Sequence, residues 1–219
     1  MDSAAVIDPG NAEAGAESKE RMSFTLSSLP LPARLRFCEP LSDDELLRFC
    51  EENDGLQIER EPDGELVIMS PAVLSTFRMN ERIRRYLGNW AEEDGRGTTG
   101  GPDAGYRLLD GSMRSPDASW FSSARVASYT KDEQAKFPPI CPEFVIELRS
   151  PGDRTGAVRK KMEMWMANGA ELAWLIEPED RKVTIYRQGD EPEVLFDPTS
   201  VQGTGPVRGF ELVMGRVWG

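Results

Sequence analysis

The stretch Pro142-Glu143-Phe144-Val145-Ile146-Glu147-Leu148-Arg149-Ser150-Pro151 reads as a buried strand with a carboxylate set among its apolar residues. A glutamate in that setting loses its hydration and needs a cation or strong donors to meet it. Strand periodicity puts Val145, Glu147 and Arg149 on one face and Phe144, Ile146 and Leu148 on the other, so Arg149 is one available partner in a plain ion pair. Upstream, Ser115-Pro116-Asp117-Ala118-Ser119-Trp120-Phe121 carries a second carboxylate at the head of another short extended run. Pro-Asp also begins strands and turns for purely structural reasons. Downstream, Lys160 and Lys161 fall in a helical segment, and two acids followed by a lysine suggest a magnesium-dependent nuclease site.

Helical geometry separates the two lysines. In the helix after Ser150-Pro151-Gly152-Asp153, Val158, Met162, Trp165 and Met166 form the apolar side, with Lys161 at its border and Lys160 turned to solvent beside Glu163. Lys161 can lay its stem on the core and offer its ammonium to a carboxylate, or snorkel to water. Mg²⁺ prefers oxygen ligands and keeps several waters, so Asp117 and Glu147 suffice to hold it against a substrate phosphate. Such an ion acidifies a bound water and neutralises phosphoryl charge. Lys161 would orient that water or stabilise negative charge, and Arg149 would contact phosphate.

Composition narrows the chemistry. The 219 residues include no histidine, which excludes Ser-His-Asp and Cys-His nucleophilic sites and histidine-ligated zinc hydrolases. The formal net charge of −12 is the wrong sign for a broadly basic nucleic-acid face, so DNA is expected to bind weakly. Cys38, Cys50 and Cys141 show no metal spacing and are odd in number, which fits a reducing cytoplasm better than a disulfide framework. No secretory leader and no run of apolar residues long enough to span a bilayer is present, so no membrane association is expected.

Residues 1–22, rich in Ala, Gly, Glu and Ser, read as a disordered tail before a single domain over 23–219. Ser42-Asp43-Asp44-Glu45 has capping-box spacing and opens a helix over about 43–53 that Gly55 stops. Runs at 56–60 and 65–69 flank the turn Glu61-Pro62-Asp63-Gly64 as a hairpin. From about 73 to 93, Phe77, Ile83, Leu87 and Trp90 recur at helical spacing up to Gly95-Arg96-Gly97. Asn80 falls on that stripe and should point inward, as a buried amide satisfied by backbone or as a neighbour of the site. Short strands follow at 106–109, 117–121, 143–149, 172–177, 182–187 and 193–196, with a helix at 157–168. Strands with interspersed helices predict an α/β fold, a mixed sheet flanked by helices.

The run from Gly64-Glu65-Leu66 and Met69-Ser70-Pro71, through Arg114-Ser115-Pro116-Asp117-Ala118-Ser119-Trp120, to Cys141 through Pro151 resembles the Uma-two family of restriction-endonuclease-like proteins. Asp153-Arg154, Lys161-Met162, Asn168-Gly169-Ala170, Trp174-Leu175-Ile176-Glu177-Pro178 and Gly209-Phe210-Glu211-Leu212 keep the family order, so the resemblance covers about residues 35–219. It implies a branch of the PD-(D/E)-x-K nucleases, with a central mixed sheet between helices, Asp117 and Glu147 as metal carboxylates, and Lys161 as a lysine moved from the strand to the helix. The strand itself offers Glu147-Leu148-Arg149 where a standard member has acid-x-Lys. The resemblance alone adds Glu65 as a further candidate; on its own, a glutamate after Asp-Gly is a solvated turn-flanking residue.

These readings lead to an endonuclease that hydrolyses DNA phosphodiester bonds with Mg²⁺, or Mn²⁺ in its place. The alternative is a catalytically degenerate binding or assembly module of the same fold. A carboxylate-metal phosphoesterase acting on nucleotides or RNA would need a closed pocket. A homodimer is expected, because cutting both strands takes two sites.

Overall fold

The computed structural model describes residues 5–7, 30–134 and 136–218. Most of the tail expected over 1–22 therefore lies outside the described residues. Only the backbone of β1 (Ala5–Ile7) is described there, running parallel to β2 (Ala33–Phe37). The remaining elements, in chain order, are α1 (Asp43–Glu52), β3 (Ile58–Arg60), β4 (Leu66–Ile68), α2 (Leu74–Asp94), β5 (Gly97–Gly100), β6 (Tyr106–Arg107), β7 (Met113–Arg114) and β8 (Ala118–Ser122). They continue with α3 (Ser123–Ala127), α4 (Lys131–Gln134), β9 (Phe144–Leu148), α5 (Thr155–Ala167), β10 (Leu172–Glu177), β11 (Lys182–Arg187), β12 (Glu193–Phe196), β13 (Ser200–Gln202) and β14 (Glu211–Val213).

Two sheets organise the molecule. The larger has the order β12-β11-β10-β9-β8-β5 and is mixed: β9 and β10 run parallel, and every other neighbouring pair is antiparallel. Parallel neighbours need a crossover, and α5 supplies it. Met162 and Trp165 of α5 pack with Val145, Ala173 and Leu175 on one face of the sheet. Ile83 and Leu87 of α2 pack with Ile146, Leu148 and Trp174 on the other. Both faces are thus covered, which is why every residue of β9 and β10 is buried, the two glutamates included.

The second sheet has the order β1-β2-β4-β3-β7-β6. Its core joins Leu46 and Phe49 of α1 to Leu35, Ile58, Leu66, Ile68 and Met113. The sequence motifs explain these pieces locally. The Ser42–Glu45 capping box is formed at the head of α1, and Gly64 takes the positive φ of 86° that the β3–β4 hairpin requires. The two sheets meet where β7 leaves the second sheet and passes through Ser115-Pro116-Asp117 into β8 of the first.

Several readings need correction. Phe77 is 50% exposed and not part of the core, because it sits on the flank of the stripe that Thr76, Asn80, Ile83 and Leu87 bury. The segment expected as a strand over 106–109 is paired only at Tyr106–Arg107. After the α2 cap at Gly95 the chain turns straight into β5 against β8. A side chain at Gly97 would collide with the Phe121 carbonyl and the Trp120 ring there. Among the described residues no helix is long and apolar enough to cross a membrane, and the three cysteines are free thiols.

Candidate active site

The seam between the sheets gathers side chains from five separate parts of the chain. Glu59 comes from β3, Asp117 from the link into β8, Glu147 from β9, Lys161 and Trp165 from α5, and Asn80 from α2. Lys161 lies at the centre, its Nζ 3.0 Å from Glu59 Oε1 and 3.1 Å from Glu147 Oε1. It also donates to the Ser115 carbonyl at 3.3 Å. Trp165 Nε1 donates to the same Glu147 Oε1 at 2.8 Å. Asp117 accepts from Asn80 Nδ2 at 2.8 Å through Oδ1 and from the Leu148 backbone N–H at 2.7 Å through Oδ2. The antiparallel register Ala118↔Ile146, carried one residue further, sets Asp117 opposite Glu147.

Glu59 is buried, and burial alone would raise its pKa. The charges of Lys161 and Arg114, with donation from Lys161 and the Ser115 N–H, outweigh that and hold it below the usual glutamate range. Glu147 goes the other way. Burial, reinforced by the neighbouring Asp117 and Glu59 charges, pushes it up to about 7 despite Lys161. Burial also raises Asp117, against the opposing Leu148 N–H, Lys161 charge and Asn80 amide. Burial opposes charge on Lys161, but the three carboxylates together raise its pKa, so it is held as the ammonium.

Of the residues singled out from sequence, Asp117, Glu147, Lys161 and Asn80 are brought together, and Lys160 is exposed outside the cluster. Asn80 is paired with Asp117, not with backbone. Arg149 is not: its guanidinium reaches Glu177 at 3.5 Å, Asp180 at 3.1 Å and Glu179 at 3.4 Å. Glu65 is also elsewhere, its carboxylate held by Arg34 and Arg36. The hairpin contributes Glu59 instead. The readable signal was the alternation Glu59-Arg60-Glu61, which sets both acids on one side of β3, where Arg114 pairs with each of them. Trp165 was also missed as a polar participant, since its helical position announces only core.

Among the described residues, no group of three acidic, cysteine or histidine side chains is placed to cage a metal ion. Asp117 and Glu147 are nonetheless an all-oxygen pair suited to a hard divalent cation that keeps most of its waters. Two observations favour such a guest. The buried acids outnumber the cations serving them, and Asn80 Oδ1 is a buried acceptor without a hydrogen-bond partner.

A family model described as "Putative restriction endonuclease", Uma2, matches residues 43–215. Restriction-endonuclease-like families generally use a divalent metal. A solved structure from Anabaena variabilis ATCC 29413, described as a "putative nuclease belonging to DUF820", is similar at 19% identity with a TM-score of 0.65. The match covers 82% of this chain and 98% of that one, and it shows a shared fold. A comparison with curated proteins gives no match. With the family model spanning most of the chain, including Glu59, Asp117, Glu147 and Lys161, the protein belongs to the Uma2 family.

Proposed function

We propose that the protein is a metal-dependent endonuclease hydrolysing phosphodiester bonds in DNA, with Asp117 and Glu147 as ligands of Mg²⁺ or Mn²⁺ and Lys161 as the cationic catalytic group. The observation that carries this reading is the convergence of Glu59, Asp117 and Glu147 on one lysine at the seam. A bound divalent ion would supply an activated water and neutralise phosphoryl charge. The chain's own residues do the rest. Asn80 and the Leu148 N–H each fix one oxygen of Asp117, and Trp165 fixes Oε1 of Glu147, so neither carboxylate must reorganise when a cation arrives. Glu59 and the Ser115 carbonyl hold the Lys161 ammonium in place. Held charged, Lys161 stabilises negative charge developing on the substrate and does not act as a base. Glu65 and Arg149, engaged elsewhere, have no part in it.

A degenerate binding module is the second reading, favoured by the lack of a third acid placed as a metal ligand among the described residues. Supercoiled plasmid incubated at low salt with Mg²⁺, Mn²⁺ or EDTA separates the two. Nicked or linear product with metal and none with EDTA is expected. Intact plasmid in every arm, together with no Mn²⁺ binding by calorimetry, would favour the module. Cleavage of both strands would take two copies of the chain, and a homodimer by light scattering in the presence of DNA is the expected assembly.

A further inference from the structure

Lys161 has two carboxylate neighbours, and the fold treats them differently. Its ammonium donates hydrogen bonds to Glu59 Oε1 at 3.0 Å and to the Ser115 carbonyl at 3.3 Å. Its contact with Glu147 Oε1, at 3.1 Å, is an ion pair without hydrogen-bond alignment. The ammonium is therefore anchored on the β3 and β7 side of the seam and only leans on β9.

Both oxygens of Glu59 are engaged. Oε1 accepts from Lys161 and, at 3.2 Å, from the Ser115 N–H, while Oε2 accepts from Arg114 at 3.0 Å. Arg114 is itself buried, and its guanidinium is braced on Glu61. Despite its burial, Glu59 is held below the usual glutamate range by Lys161 and Arg114, so it keeps its full charge. Glu147 is the reverse case. Trp165 and Lys161 both meet Oε1, and among the described residues Oε2 accepts no hydrogen bond. A carboxylate cannot serve an ammonium and a divalent cation equally, because the two cations repel each other and compete for the same oxygens. Besides Glu59, Glu147 is the one carboxylate within ion-pair distance of Lys161 among the described residues, so an ammonium released by Glu59 would fall to Glu147.

We propose that Glu59 is a positioning residue which, braced by Arg114, keeps Lys161 as its own partner and so leaves Glu147 free to take a divalent cation. The inference rests on the metal site of the function proposed above and says what regulates it. The second sheet, by holding the ammonium, sets the affinity of the first sheet's carboxylates for metal. Glu59 touches neither metal nor substrate in this role and acts through Lys161 alone.

Calorimetric titration of Mn²⁺ into the full-length protein, stripped of metal and without DNA, tests this through a double-mutant cycle. Glu59→Gln keeps shape and removes charge, and is expected to weaken Mn²⁺ binding at least ~10-fold, within the range of coupling between residues in one ion-pair network. Lys161→Met removes the competing ammonium and is expected to leave Mn²⁺ binding as tight as wild type or tighter. Adding Glu59→Gln to Lys161→Met is expected to change the affinity less than about threefold, since no ammonium is left to redirect. If Glu59 only attracts the cation by its charge, or only supports the fold, it weakens binding equally in both backgrounds, and that result overturns the inference. So does unchanged binding in Glu59→Gln. Should Glu59→Gln melt below the assay temperature, Glu59→Gln, Arg114→Gln removes both ends of the buried pair and takes its place in the same cycle. If the wild type binds no Mn²⁺, the metal site falls and takes this inference with it. If it binds Mn²⁺ but cuts no plasmid, the nuclease reading alone falls, and the cycle still decides the role of Glu59.

Discussion

Glu147 and Glu177 are both buried, on neighbouring strands at the same end of the sheet, yet they serve opposite ends. Glu177 is 0% exposed and is met by two cations, Arg149 at 3.5 Å and Lys182 at 2.6 Å. Glu179 and Asp180 on the rim pair with the same Arg149 guanidinium. Glu147 has one cation, Lys161, and shares it with Glu59. Where two cations meet one buried acid, its charge is offset, and the ion pairs tie the ends of β9, β10 and β11 together. Where acids outnumber the cation, one carboxyl is raised to about 7 and the cluster has room for further positive charge. The ratio of charges, more than burial itself, separates a staple from a candidate site.

The largest effect that can break this contrast is on cleavage. Asp117→Asn and Glu147→Gln each keep shape while removing a charged ligand, and each is expected to lower plasmid cleavage by at least ~10³-fold. Circular dichroism should show an intact fold, and full activity in either variant would remove the assigned site. Glu177→Ala should instead act on stability, costing about 3–5 kcal/mol in urea denaturation because Arg149 and Lys182 lose their buried partner. A loss of cleavage in that variant at unchanged stability would erase the distinction between the clusters.

Next in size, Lys161→Ala should lower cleavage by ~10²-fold while Lys160→Ala stays near wild type. If Lys160→Ala proved the more damaging, the basic role would have to be reassigned. The smallest effect concerns pH in the metal-free protein. Glu147 is raised to about 7 in the fold, so the folded state binds its proton more tightly than the unfolded chain does. The stability that this proton contributes is present below the unfolded pKa and is lost as pH rises toward 7. Glu147→Gln escapes that loss, so its stability relative to wild type should increase between pH 5 and pH 8 by about 2–3 kcal/mol, measured by denaturation in EDTA. A gap that stays constant or narrows would show that Glu147 is not a strained carboxyl.

Much of this was legible from local pattern. The Ser42 capping box, the Gly64 turn, the Asn80-Ile83-Leu87 stripe of α2 and the two faces of β9 are rules acting within a few residues, and the structure follows them. The border position of Lys161 on α5 was also a local inference. What local pattern could not supply was pairing across the seam. Glu59 looks like any polar residue in an alternating hairpin until Arg114 and Lys161 arrive from 55 and 102 residues away. Arg149 shares a strand face with Glu147, but it follows β9's last residue and turns to the acids after β10. Phe77 fits a helical stripe by spacing, yet about a quarter-turn of phase decides whether such a residue meets the sheet or solvent.

The seam also has a consequence for how the protein is made. Its central contact joins residues 102 apart in sequence, and the bonds to Asp117 span 37 and 31 residues. A chain still emerging from the ribosome has neither Lys161 nor Glu147 in place when its first sheet forms, and a clipped or half-folded chain cannot align them. Whatever cutting power the seam holds is therefore disarmed in every incomplete form of the protein. If the seam cuts nucleic acid as proposed, the topology withholds that activity until both sheets have docked.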